Sequence, residues 1–141
     1  MNNIKKYQFI IIFAFNMTLK SQSLAVLDIA PINFNNDYSI KISNYIRNII
    51  ESTINTPIMN INEISTILNK ENINNKWCAD DWCAKEIGKL IKKDRVFISS
   101  IGKKGNQLDL YGMIYDVKND TIVKEYMYLF YEENNYLLTA E

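Results

Sequence analysis

The sequence predicts an α/β (α+β) domain in the order β-α-β-α-α-β-β-β, a mixed sheet with helices packed on one face. Three observations carry this. An apolar run of strand length opens the region after residue 23, three segments between residues 37 and 91 repeat their apolar residues at helical spacing, and the period falls to two from Val96 onward. Strands that follow one another through short turns, after helices, give an antiparallel meander beside a helical layer.

The elements follow in chain order. Residues 24–30 form a continuous apolar run, and Pro31 is expected to close this buried first strand. Tyr38, Ile42, Tyr45, Ile46, Ile49, Ile50 and Ile54 mark one broad helical face, with Asp37 as the expected cap and Pro57 as the stop. Residues 58–61 read as a short strand. Asn60 and Glu63 then have capping-box spacing for a second helix through Ile64, Ile67 and Leu68. A third helix opens near Asp80 and Asp81 and carries Cys83, Ala84, Ile87, Leu90 and Ile91 on one side. Residues 96–101, 107–117 and 121–131 are the closing strands, with turns at 103–106 and 118–120.

The amino-terminal segment has a different character. Lys5 and Lys6 precede an apolar run over residues 7–17, the charge-then-apolar layout of a secretory signal peptide. That run is shorter than the roughly 20 residues of a membrane-spanning helix, so no stable membrane anchor is expected after cleavage. Small residues at Ser21 and Ser23 place the cut after Ser23, giving a signal peptide over 1–23 and a single interaction domain over 24–141. No Cys follows the apolar run at the cut, so no lipid anchor is expected. Export implies a periplasmic or secreted location in a bacterium. Cleavage removes three of the 16 basic residues and none of the 16 acidic ones, which leaves no basic stripe for nucleic acid.

Catalytic chemistry finds little to work with. The chain contains no His, which excludes Ser-His and Cys-His nucleophile systems and every imidazole metal site. Two cysteines cannot complete a four-ligand zinc site, and their spacing is not Cys-x-x-Cys. Asp80 and Asp81 suit the positive end of a helix better than an acid-base pair, and residues 102–106 lack the helix that would make them a phosphate loop. No catalytic residue, cofactor or metal is assigned.

Cys78 and Cys83 lie five positions apart, at Trp77-Cys78-Ala79-Asp80-Asp81-Trp82-Cys83. On one helix their Cα atoms would be roughly 8 Å apart, beyond disulfide reach, so Cys78 must fold back in the preceding loop. In an oxidising compartment the pair is expected to form a disulfide that staples the helix start. The block continues as Ala84-Lys85-Glu86-Ile87-Gly88-Lys89-Leu90, then Asp94 to Lys103, with Tyr115-Asp116-Val117 ahead of Thr121-Ile122-Val123. It resembles the periplasmic α/β domain shared by curli secretion channel subunits, outer-membrane activators of penicillin-binding proteins and the amino-terminal domain of the Tol-system β-propeller protein. The resemblance extends to Ala25-Val26-Leu27-Asp28 and implies that fold together with a tendency to bind proteins. The chain lacks the acylated Cys and the membrane hairpins of a curli-type channel, so pore formation by itself is not implied.

The expected function is therefore a non-catalytic protein-binding module that acts in a cell-envelope assembly or regulates an envelope enzyme. A structural subunit of an oligomeric secretion or envelope complex, pairing through its last strand, is the alternative. Envelope proteins are the expected partners, and a homo-oligomer is open. Tyr126, Tyr128 and Phe130 alternate on one side of the last strand and are the expected outward face, with Val123, Met127 and Leu129 towards the core. The outward face either meets a partner or is shielded by the tail. Trp77 and Trp82 flank the cysteine loop, either packed on the disulfide or presented as interface anchors.

Overall fold

A computed structural model describes residues 23–54, 57–73 and 78–131. Its elements are β1 (Leu24–Val26), β2 (Ala30–Ile32), α1 (Asn36–Ile54), α2 (Ile61–Lys70), α3 (Asp81–Leu90), β3 (Arg95–Lys104), β4 (Gln107–Asp116) and β5 (Thr121–Tyr131). They build one five-stranded mixed sheet, in which β1 and β2 both run parallel to β3 and the order continues antiparallel through β4 to β5. The predicted fold class and the closing meander are both present.

The first apolar run divides into two strands. Val26 pairs with Phe97 but Ala30 pairs with Ser100, so the leading chain has one residue more than β3 in between. The Ile29 amide leaves the ladder and donates to the Ser43 hydroxyl of α1 at 2.8 Å. Because strand side chains alternate, one extra residue brings Ile29 to the face of Leu24 and Val26, where all three join one core cluster. Pro31 does not close the strand: it lies within β2, opposite Ile101. Among the described residues β2 pairs with β3 alone, and an edge strand tolerates a residue without an amide donor.

The strand expected at 58–61 is not formed. Asn60 is instead the cap of α2, its side chain accepting from the Asn62 amide at 2.8 Å, so the helix begins where the strand would end. Met59 contributes one long hydrogen bond to the Leu24 carbonyl, at 3.4 Å, without a ladder. The cap of α1 lies two residues earlier than expected. The Asn35 side chain, rather than Asp37, accepts from the amides of Asp37 and Tyr38 at 2.9 and 3.2 Å.

Helices cover both faces of the sheet rather than one. Ile64 and Leu68 of α2 and Ala84 and Ile87 of α3 pack on Val96, Ile98, Met113 and Tyr115. On the opposite face Ile46 and Ile50 of α1 pack on Leu24, Val26, Phe97 and Ile114. Residues 95–101 of β3 are consequently buried without alternation, the pattern of a strand covered from both sides. Arg47 fixes α1 in place, donating from Nε to the Val26 carbonyl at 3.2 Å and pairing with the Asp28 carboxylate. That pair is largely buried and additionally bonded to the Asn44 side chain, so removing one partner would strand the other charge.

Candidate interaction surface

The start of α3 is built around the cysteines. Cys78 and Cys83 are bonded, with Cα atoms 5.7 Å apart. Cys78 is fully buried in the α2–α3 core cluster, so the disulfide ties the helix start to the interior. Asp80 caps the helix through the Cys83 amide at 2.8 Å, and Asp81 occupies the first turn, where its charge meets the positive helix end. Trp82 is turned outward and is 71 % exposed. Trp77 lies outside the described residues, as does the side chain of Phe130.

Gly88 shows why α3 has a glycine in its middle. A Cβ there would collide with Val117 and come within 2.8 Å of a Val96 methyl, so the helix can approach the sheet this closely only without a side chain.

The two faces of β5 are reversed relative to expectation. Tyr126 is half-buried against the α1-side cluster, opposite Gly112, with Lys124 Nζ 5.3 Å from its ring centroid. Burial, with a smaller contribution from Tyr128, pushes the Tyr126 phenol up to about 12, and burial raises Tyr128 as well. Met127 and Leu129, expected in the core, are 71 % and 56 % exposed. Val123 also leaves their side. The β4–β5 register passes from Ile114 opposite Lys124 to Tyr115 opposite Ile122, and the bulged Val123 packs on the α1-side cluster. The physical reason is coverage: α1 shelters the tyrosine side, whereas among the described residues none of β5 belongs to the core that α2 and α3 form.

A hydrogen-bonded frame surrounds the exposed residues. The Tyr111 hydroxyl donates to Glu125 at 2.8 Å, and burial first, then this bond, pushes the phenol up to about 12. The Tyr115 hydroxyl donates to Asp120, whose other oxygen receives Lys85 Nζ at 2.6 Å. These contacts tie the β4–β5 turn to α3, hold Asp120 below the usual carboxylate range and push Tyr115 up to about 12. Among the described residues no three His, Cys, Asp or Glu side chains are grouped to hold a metal ion, and no helix is long and apolar enough to cross a membrane.

Among the described residues, Trp82 is thus the sequence-predicted interface residue that is exposed at the surface. Tyr126 and Tyr128 are partly buried on the other side of the sheet. Met127 and Leu129 are the surface residues that alternation alone misassigned.

No family model matches the chain, and no curated protein matches it. Solved structures do. The LpoB C-terminal domain from Salmonella enterica superposes with a TM-score of 0.70 at 12 % identity, over 89 % of this chain and 95 % of that one. Its counterpart from Escherichia coli gives 0.69 at 12 % identity, over 87 % and 93 %. Lipoprotein GNA1162 from Neisseria meningitidis gives 0.61 at 11 % identity, over 82 % and 84 %. The chain shares their fold, and that is the fold the cysteine-helix-strand resemblance implied.

Proposed function

We propose, from the premise of a fold shared with the LpoB C-terminal domain, that the chain is an exported, non-catalytic domain that binds proteins in a bacterial cell envelope. The observation that carries this reading is the uncovered side of β5, where Met127 and Leu129 stand exposed on the sheet face that α3 also covers, with Trp82 exposed at the α3 start. Large apolar side chains grouped at a surface mark contact sites, and Trp is among the commonest interface anchors. The Lys-then-apolar layout at Lys5, Lys6 and residues 7–17 and the disulfide both suit an oxidising compartment outside the cytoplasm. Capture of envelope proteins on the immobilised mature domain tests the reading, because a binding module retains a specific partner and an inert one does not.

One observation favours the structural-subunit alternative. Thr121–Tyr131 is a long strand that pairs, among the described residues, with β4 alone, and such an edge can accept a neighbour's strand. Gel filtration with light scattering separates the two readings: a stable ring or dimer supports the subunit role, and a monomer supports the docking module.

A further inference from the structure

The uncovered side of β5 has a charge pattern that defines what would fit it. Glu125 stands two residues from Met127 on the same side, and Asp109 is the register partner of Leu129. Asp80 and Asp81 are exposed beside Trp82 at the start of α3. Tyr111, the register partner of Met127, packs with Cys83 of the α3 start against the same core cluster, so the helix start and Met127 lie on the same side of the sheet. The basic groups of α3 are engaged, Lys85 with Asp120 and Lys89 with Glu86. Lys124, the single basic residue of β5, lies on the opposite face over Tyr126, and Lys104 closes this face at the far hairpin, opposite Gln107.

An apolar strip bordered by carboxylates discriminates among occupants. The same face of a second copy would bring like charges together, and an anionic lipid surface would be repelled. The chain's own residues 132–141 contain Glu132, Glu133 and Glu141 and no basic residue, so they match it no better. A segment whose apolar residues are flanked by Lys or Arg satisfies both features at once.

We infer that this face docks a cationic, apolar segment of a partner protein, whose apolar side chains cover Met127, Leu129 and Trp82 while its basic side chains meet Glu125, Asp109 and Asp81. The inference rests on the protein-binding reading and specifies the partner's chemistry.

The test uses the mature protein and three short synthetic peptides, alternating leucine with lysine, leucine with glutamate, and serine with lysine, followed by fluorescence anisotropy. The leucine–lysine peptide is expected to bind at least about tenfold more tightly than either control, a difference of about 1.4 kcal/mol. Met127→Ser with Leu129→Ser, and separately Glu125→Gln with Asp109→Asn, are each expected to weaken it about tenfold with the thermal midpoint unchanged. Equal binding of the three peptides, or binding indifferent to both pairs of substitutions, overturns the inference. So does binding that appears only after residues 132–141 are removed, a dimer that the Met127/Leu129 pair dissociates, or attachment to phosphatidylglycerol vesicles through the same residues. If the peptide fails while those two substitutions still abolish capture of an envelope partner, the chemistry is wrong and the protein-binding reading stands. If that capture fails too, the reading itself falls.

Discussion

Ser23 and Asp94 hold each other where β1 meets β3. The Ser23 amide and hydroxyl both donate to Asp94 Oδ2, at 3.1 and 2.9 Å, and the Asp94 amide approaches the Ser23 hydroxyl oxygen at 3.2 Å. The Ser23 carbonyl in turn accepts from the Arg95 amide at 3.1 Å. The residue that sequence reasoning places last in the signal peptide is therefore bonded into the sheet.

The first prediction follows from that exchange. Ser23→Ala, or a chain beginning at Leu24, lowers stability by about 1 kcal/mol, and the exported protein begins at or before Ser23. Ser23 also holds Asp94 below its ordinary value of 3.8 through its amide and then its hydroxyl. Burial would raise Asp116, but the Asn119 bonds and the nearby Arg95 outweigh it, and Asp116 is lowered too. A carboxyl depressed in the folded state adds stability that is complete above its unfolded value and is lost as pH falls through the folded one. Acid unfolding therefore sets in below about pH 4, and Asp94→Asn blunts it. Mass spectrometry of the exported chain and urea titrations at several pH values check both parts; an amino terminus at Leu24 with full stability contradicts them.

The Cys78–Cys83 bond is expected to survive export, leaving no thiol to label under denaturing, non-reducing conditions. Replacing both with Ser costs about 2 kcal/mol from the loop-entropy model for a short ring, while the far-ultraviolet dichroism keeps its native shape. Two labelled thiols would refute the pairing.

Gly88→Ala is expected to destabilise by about 1 to 3 kcal/mol, because the added methyl overlaps the Val117 and Val96 side chains, which must shift to admit it. In an exposed helix the same change would stabilise. Denaturant unfolding of this variant gives the sign directly.

The reversed faces of β5 predict opposite responses to two truncations. Tyr126→Ala removes contacts with the α1-side cluster and costs about 1 to 3 kcal/mol, whereas Leu129→Ala, at an exposed position, stays within about 0.5 kcal/mol of the parent. The reverse ranking in thermal melts would restore the sequence-based assignment.

These cases show what local pattern could and could not reveal. The α3 start was readable because Asp80 and Asp81 act within one turn, and the hairpins because the period changes beside Gly105 and Asp120, both at positive φ. The break in the first strand was not readable, since it depends on a Ser43 hydroxyl 14 residues away competing for the Ile29 amide. Residues 58–61 have strand composition, but Asn60 uses its side chain to begin a helix. Along β5, a period of two sorts residues into faces without saying which one a helix covers, and the Val123 bulge breaks even that sorting. Helices on both faces could have been suspected from the three consecutive apolar residues Val96, Phe97 and Ile98 in β3.

The central claim is that the α3-side face of β5 binds an envelope protein. Its most direct measurement is quantitative capture from envelope extracts by the mature domain beside its Met127→Ser, Leu129→Ser double variant, with equal folding verified by melting. A specific protein retained by the parent and reduced about tenfold on the variant, a loss of about 1.4 kcal/mol, is the predicted result. Equal retention by both, or no specific protein on the parent, would contradict it.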